Sequence, residues 1–158
     1  MHPGPLALFL TWTTYGDHLP GDARGWSRHG RRGLPGHAGK EQFAREQMLE
    51  PACVLTPPQR DSVRDTIARH CEIRGWPLQA VAVRMNHVHA VVSAPGTEPA
   101  EVRRQLKAWT TRRLKQVDPG RTRWWTEGGD IEFLDTEADV AGAVEYVLIA
   151  QDRKGRDA

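Results

Sequence analysis

The sequence predicts an α+β fold, in which a ferredoxin-like βαββαβ antiparallel sheet packs against helices and a further C-terminal helix carries a tyrosine, Tyr146. Two observations lead to this prediction. Segments rich in apolar and β-branched residues alternate with segments of helical spacing, in the order strand, helix, strand, strand, helix, strand, helix. The first six of these elements match the split βαβ arrangement. The chain has 158 residues, 39% of them hydrophobic, which is enough for one domain with a substantial core.

The N-terminal third is predicted to hold one strand and one long loop. Residues 6–15 are rich in apolar, β-branched and aromatic residues, as strands are. Residues 16–51 are dense in Gly, Pro, Arg and His without periodicity, which indicates a loop insertion with at most a short helical turn at 41–49. We therefore expect a single domain over residues 1–158, with this insertion and a frayed polar tail at 152–158.

The clearest helix is predicted to follow residue 56. Thr56 suits an N-cap, and the proline after it fits the first helical position. Val63, Ile67 and Cys71 recur at intervals of four residues and form one apolar stripe. Gly75 is a natural stop just beyond the last turn.

Two strands, a helix, a third strand and a last helix are predicted to complete the order. Their ranges are strands at 78–85 and 87–93, a helix from 97 or 98 to about 117, a strand at 131–134, and a helix from a cap at Thr136 to about 151. The first of these helices is expected to bury the apolar stripe Val102, Leu106, Trp109 and Leu114.

Composition limits the protein classes that fit. The net charge of only +2 does not by itself indicate a nucleic-acid binder. Cys53 and Cys71 do not form a CxxC pair, so we interpret them as reduced thiols of a cytosolic protein. The N-terminal segment lacks a basic region and a cleavage site, and its apolar run is too short to span a bilayer. We expect a cytoplasmic protein without a membrane segment.

His87 and His89 flank Val88 within a predicted strand. Alternation along a strand places both imidazoles on one face, roughly 7 Å apart. Two imidazoles at that spacing can bind one divalent ion, and they suit Zn, Mn, Fe, Cu or Ni better than Mg or Ca. The same pattern also fits two polar residues on a half-exposed sheet, and the motif alone does not decide between these. A metal site would need a third ligand, which the pair does not identify.

Tyr146 lies in the last predicted helix, one turn after Gly142 on the same helical face. That glycine leaves room for a phosphate or a partner strand beside the phenol. Taken alone, the pattern favours a structural tyrosine that is half-buried against the sheet. Gln151 follows on nearly the same side and could donate an amide oxygen to a metal, although a lone glutamine there is more often a solvated helix end.

The helix at 97–117 presents a basic face opposite its apolar stripe. Cationic side chains with interleaved hydroxyls suit contacts to phosphates, whereas a merely solvated face would have a similar composition. The pattern alone leaves these two interpretations about equal. The candidate DNA-binding residues are Arg103, Arg104, Lys107, Thr111, Arg112 and Lys115.

Together these segments resemble the single-tyrosine HUH transposases of bacterial insertion sequences, and most closely the REP-associated tyrosine transposases. NHVHAVV is similar to the histidine-hydrophobe-histidine strand of that family, LKAWTTRRLK to its basic helix, and AVEYVLIAQ to its tyrosine helix. In part of the family a glutamine four residues after the tyrosine binds the metal. Here Ala150 has that place and Gln151 comes one residue later. Met85 also stands where many members have proline.

The resemblance implies a DNA transposase that cleaves and rejoins single-stranded DNA through a covalent 5′-phosphotyrosine. It implies that Tyr146 is the nucleophile and that His87 and His89, with Gln151 as a third candidate, bind a divalent metal, Mg²⁺ or Mn²⁺. The expected partner is single-stranded or hairpin DNA, and a homodimer is one option for its assembly. Three alternatives stay open: a metal-dependent hydrolase that uses water, a non-catalytic nucleic-acid-binding module, and a structural domain without a ligand.

Overall fold

The structure, a computed structural model, describes residues 4–17, 19–28 and 31–150. In the described residues the chain forms six strands, four α-helices and one π-helical turn. In order these are β1 Ala7–Thr13, β2 Trp26–Arg28, β3 Arg31–Leu34, α1 Ala38–Glu46, α2 Pro57–Arg74, β4 Leu78–Val83, β5 His87–Val92, α3 Pro99–Val117, β6 Asp130–Leu134, α4 Glu137–Glu145 and the π-turn Tyr146–Ala150.

The main sheet has four strands in the order β4-β5-β1-β6, and every neighbouring pair is antiparallel. β1 lies in the centre, where Phe9 pairs with Val91 on β5 and with Glu132 on β6. Helices α2 and α3 connect the strands as the split βαβ arrangement requires. The predicted α+β fold with a ferredoxin-like antiparallel sheet is therefore confirmed.

The two faces of the sheet are covered by different helices. One face packs against α2 and α3, and this larger core contains Trp12, Val88 and Leu106, none more than 1% exposed. The other face packs against α4 and the π-turn, where Val91 and Val147 are fully buried. Side chains alternate along each strand, so consecutive residues of β5 belong to different cores.

Helix α2 has the ends that the sequence predicts. Thr56 and Gln59 form a reciprocal capping box at its start. Gly75 ends it in a left-handed conformation with φ of 73°. The predicted stripe of Val63, Ile67 and Cys71 is buried.

Residues 16–51, predicted as a loop insertion, instead contain the β2–β3 hairpin and helix α1. None of the α1 side chains is buried, so the helix has no apolar stripe that could appear as periodicity. It is held by the His37 side chain, which caps the Lys40 N–H, and by an ion pair between Glu41 and Arg45 one turn apart. The prediction allowed only a short helical turn at 41–49 and missed the hairpin and the full length of α1, because local capping and charge pairing rather than core packing stabilise this helix.

The predicted stripe of α3 is wrong at one position. Trp109 is 44% exposed, and Thr110 is fully buried in its place. The Thr110 hydroxyl donates to the Leu106 carbonyl at 2.7 Å and accepts from the Trp125 indole N–H at 3.1 Å. A buried hydroxyl with both partners costs little, which is why the polar residue can take a core position.

The C-terminal helix begins at the predicted cap but changes form before its end. Thr136 and Asp139 make a capping box, and α4 then runs to Glu145. From Tyr146 the chain forms a π-helical turn rather than the continuous helix predicted to about residue 151. The predicted tail at 152–158 lies outside the described residues. No described helix is long and apolar enough to cross a membrane.

Candidate active site

Strand β5 places His87 and His89 on the face of the sheet that α4 covers. Their register opposite Thr13 and Thr11 of β1 brings the two ring centroids within 4.8 Å. Val88 points to the opposite face and is fully buried in the larger core. The alternation predicted from the sequence is therefore observed, and the two imidazoles form a neighbouring pair.

Both rings are oriented by hydrogen bonds at Nδ1. The Nδ1 atom of His87 lies 2.7 Å from the Asn86 side-chain oxygen, and the Asn86 amide group donates to Asp17. Because an amide oxygen only accepts, His87 carries its proton on Nδ1 and a lone pair on Nε2. Nδ1 of His89 lies 2.9 Å from the Thr11 hydroxyl. These contacts fix the rings in the way that supporting residues fix metal-binding histidines.

The environment keeps both imidazoles neutral. Burial, together with the neighbouring His87 and Arg84, lowers the pKa of His89 to about 4. Burial also lowers the pKa of His87, with Arg84 lowering it and Asp17 opposing this effect. Neutral imidazole is the form that donates a lone pair to a metal. At neutral pH the pair is thus in the protonation state that a cation site requires.

The π-turn brings Tyr146 to the same pair. Its ring centroid lies 5.8 Å from that of His89 and 6.1 Å from that of Phe9 on β1. Val147, the next residue, is fully buried against the sheet and anchors this part of the helix. Residues that are far apart in the sequence, one on β5 and one at the C-terminal helix, thus meet at one site. π-helical turns occur frequently at functional sites.

Two histidines alone do not complete a metal centre. In the parts of the chain that the structure describes, no three His, Cys, Asp or Glu side chains are grouped so as to hold a metal. The third ligand suggested from the sequence, Gln151, lies outside the described residues.

Two of the six basic-face residues donate hydrogen bonds to backbone carbonyls of segment 126–129. Arg103 donates to the Gly129 carbonyl at 2.6 Å, and Lys107 donates to the carbonyls of Thr126 and Gly128, both at 2.7 Å. Burial and, to a smaller extent, nearby Arg103 lower the pKa of Lys107 to about 8, against an opposing effect of Glu127. These two cations therefore hold segment 126–129 against α3.

Segment 126–129 in turn packs on the strand that supports the histidines. Gly129 has φ of +128°, and a Cβ there would lie 2.6 Å from the Thr11 carbonyl oxygen. A residue with a side chain could not approach β1 so closely. The hydrogen bonds from α3 therefore hold Gly129 against Thr11, and the Thr11 hydroxyl in turn orients His89.

The other four residues of the predicted face are exposed or line a cavity. Arg104 is paired with Glu101 at 2.6 Å on the surface. Thr111, Arg112 and Lys115 line a cavity of about 740 Å³ between α3 and segment 122–127. Arg123, which was not predicted as a DNA-binding residue, lies on the opposite wall. Its backbone is fixed by Glu50, whose carboxylate accepts from the Arg123 N–H at 2.6 Å. The sequence signal that could have indicated Arg123 is the pair of arginines, Arg121 and Arg123, directly before Trp124 and Trp125.

A family model for IS200-like transposases matches residues 52–130, which is half of the chain. The chain belongs to the IS200-like transposase family. The transposase is thereby placed among DNA-binding enzymes of DNA transposition, as the resemblance had implied. The match includes β4, β5 and α3 with both histidines, and it ends before the helix that carries Tyr146.

Two solved structures share the fold of the transposase. One, described as a transposase from Deinococcus radiodurans R1, is 17% identical, and the match covers 98% of this chain and 92% of that chain with a TM-score of 0.56. The other, a REP-associated tyrosine transposase bound to a REP hairpin, is 15% identical, with coverage of 98% and 70% and a TM-score of 0.58. At these identities the likeness establishes the fold. No curated protein matches the transposase.

Proposed function

We propose that this transposase cleaves and rejoins single-stranded DNA, with Tyr146 as the nucleophile and His87 and His89 as ligands of a divalent metal. The observation that carries the proposal is the meeting of the tyrosine with the histidine pair, at 5.8 Å between the rings of Tyr146 and His89. A structural tyrosine would not need two neutral, oriented imidazoles beside it. The proposal agrees with the family, whose members act on DNA.

The donor set fits a divalent cation. Two neutral imidazoles, each hydrogen-bonded at Nδ1, form two of the ligands, and imidazole favours Mn²⁺ over Mg²⁺. We propose Gln151 as a third ligand. It follows Tyr146 by five residues in the sequence, one more than the glutamine that binds the metal in part of the family. When bound, the cation would neutralise charge on the scissile phosphate and polarise it.

The covalent chemistry belongs to Tyr146. The phenolate oxygen would attack the phosphorus, forming a 5′-phosphotyrosine while the bond to the 3′ oxygen breaks. The leaving oxygen takes a proton and becomes a free 3′-hydroxyl. In the second step a 3′-hydroxyl attacks the phosphotyrosine, so the phosphodiester is restored and the phenol is released. No bond energy is lost between the steps, and the rejoining needs no ATP.

The DNA strand is proposed to enter along the cavity beside α3. Arg112, Lys115 and Arg123 line its walls and would contact phosphates, with Thr111 as a hydroxyl donor. The partner is single-stranded or hairpin DNA. Arg103 and Lys107 would contribute indirectly, by holding segment 126–129.

The decisive experiment uses labelled single-stranded hairpin DNA from the flanks of the transposase gene, with Mn²⁺ or Mg²⁺. We expect an adduct that survives SDS electrophoresis, and we expect Tyr146→Phe and His87→Ala to abolish it. Tyr15→Phe is the matched control, because Tyr15 is the other of the two tyrosines in the chain. That variant should retain the adduct, because it keeps the ring that lines the cavity beside α3 and removes only a hydroxyl that accepts from the Leu49 N–H.

Two other outcomes would overturn the proposal. Cleavage without an adduct, retained in Tyr146→Phe, would indicate a metal-dependent hydrolase that uses water. Hairpin binding without cleavage by any divalent metal would indicate a non-catalytic binding module.

A further inference from the structure

A groove of about 880 Å³ runs along the outer surface between α2 and α3. These two helices cover the face of the sheet opposite to the histidines, so the groove is separate from the site of Tyr146. It is also distinct from the cavity beside segment 122–127, although Arg112 borders both. The proposed chemistry gives this groove no role.

A row of stacked rings and cations crosses the groove. The His70 ring stacks on Trp109 at 5.6 Å and 29°, and its other side meets Trp76 edge-on at 5.5 Å. The guanidinium groups of Arg112 and Arg74 lie over the outer rings, at 5.2 Å from Trp109 and 5.3 Å from Trp76. His70 is held by Gln105 at 2.8 Å. Trp109 is therefore a ring of fixed orientation that is nevertheless 44% exposed.

The rim of the groove is basic. Two of its arginines are partly neutralised, because Arg69 pairs with Glu72 and Arg104 pairs with Glu101. Asp65 is the acidic residue among those that line the groove. The arginines of the rim are Arg69, Arg74, Arg104, Arg112 and Arg113.

We propose that this groove is a second binding surface for single-stranded DNA, in which an unpaired base stacks on Trp109 and neighbouring phosphates contact Arg112 and Arg113. The proposal rests on the proposed function only in that the enzyme handles single strands. Trp109 is a partly exposed aromatic ring bordered by guanidinium groups, and proteins bind unpaired nucleotides with arrangements of this kind. Five arginines against Asp65, Glu72 and Glu101 leave the rim with a net positive charge, which complements a phosphate backbone.

An acidic peptide would complement the positive charge of the rim, but it has no planar group that would stack on the Trp109 indole. Carboxylates pair with guanidinium groups at the edge of a groove and gain nothing from a fixed indole plane. A base offers a π-face of similar width to Trp109, and Arg112 can stack beside it. The observations therefore favour a nucleotide over a peptide.

The test uses the Tyr146→Phe protein without metal, so that binding is measured apart from chemistry. A fluorescein-labelled oligothymidine is titrated and its anisotropy recorded. We expect Trp109→Leu to weaken binding about tenfold and Trp109→Phe, which keeps a stacking ring, to restore most of it. Arg113→Gln should lower the salt slope of binding by about 0.7. Arg64→Gln is the matched control, because Arg64 lies on α2 outside the groove, and it should bind like the parent.

A cross-linking experiment locates the base directly. An oligothymidine with one 5-iodouracil is irradiated with the protein, which is then digested with trypsin. We expect the adduct in the tryptic peptide 108–112, on Trp109. An adduct only in the peptide that begins at Trp124 would place the strand in the cavity beside segment 122–127 and would overturn the proposal of a second binding surface.

Three further outcomes would contradict the proposed DNA-binding groove. Equal affinity for an abasic oligomer, or unchanged affinity in Trp109→Leu, would show that stacking is absent and would overturn the proposal. If polyglutamate of the same total charge displaced the labelled oligothymidine equally well, the groove would be a general anion-binding surface instead. Because no step requires Tyr146, these results stand whether or not a covalent adduct is found with the active protein.

Discussion

At the scale of single residues, the site depends on side chains that touch the histidines rather than on the histidines alone. The two-residue spacing predicted that His87 and His89 share a face, because alternation is a local property of strands. Thr11 could not be predicted, since it reaches His89 through the register of β1 with β5. The role of Gly129 depends in the same way on a close approach to β1.

Thr11→Val is expected to weaken Mn²⁺ binding about 10- to 100-fold, because it removes the hydroxyl beside Nδ1 of His89 while keeping the shape. Mn²⁺ titration followed by electron paramagnetic resonance measures this affinity. Thr11→Ser keeps the hydroxyl and should bind like the parent. Equal affinity in Thr11→Val would show that the hydroxyl does not support the ligand.

Gly129→Ala is expected to destabilise the fold by about 1–3 kcal/mol, because the residue has positive φ and an added Cβ would collide with the Thr11 carbonyl. Gly142→Ala is the matched control in helix α4, where no atom lies within 4 Å of an added Cβ. It should stabilise the protein by about 0.5–1 kcal/mol. Urea denaturation measures the free energy of unfolding of both variants. Changes of the same sign would show that the two glycines do not differ in this way.

At the scale of elements, the sequence is informative where a helix contributes to the core. Helix α2 has strong caps and a buried stripe, and both its ends and its face were predicted correctly. Helix α1 buries nothing, and only a short helical turn at 41–49 was predicted in its place. The π-turn could not be foreseen, because the apolar residues after Tyr146 are compatible with α-helical or π-helical spacing.

Helix α3 combines structural and exposed cations on one predicted face. Lys107→Met is expected to destabilise the protein by about 1–3 kcal/mol, because the Thr126 and Gly128 carbonyls lose a charged donor. Lys115→Gln, at an exposed position, should leave the unfolding free energy unchanged and lower the salt slope of single-strand binding by about 0.7. Thermal unfolding and binding titrations test both. Equal effects of the two variants on stability would contradict the assignment of Lys107 as a structural cation and of Lys115 as a DNA-binding one.

At the scale of the whole molecule, the sheet separates two surfaces. Its α4 face holds the histidines and Tyr146, while its α2 and α3 face carries the groove around Trp109. The predicted order of elements agrees with this layering, because it gave α2 and α3 as the helices that connect strands of the sheet and placed the tyrosine helix after them. The distribution of charge did not, since a net charge of +2 conceals the concentration of arginines on one side.

The tyrosine and the histidines of one chain are expected to act together, because Tyr146 lies beside His89 of its own chain. A mixture of the His87→Ala and Tyr146→Phe proteins should therefore form no covalent DNA adduct. Gel electrophoresis in SDS with labelled hairpin DNA measures this. Adduct formation on the His87→Ala chain would instead show that each tyrosine serves a partner's histidines in a homodimer.

The π-turn also bears on how the transposase is compared with its relatives. A turn of this kind accommodates one more residue than an α-helical turn over the same rise, so it is equivalent to a single-residue insertion that the fold absorbs locally. A relative with a regular helix after its tyrosine would align with this chain only if one gap were opened within residues 147–150. An ungapped alignment would assign every position after the tyrosine to the wrong neighbour. Deleting one residue there would accordingly be expected to convert the turn to a regular helix.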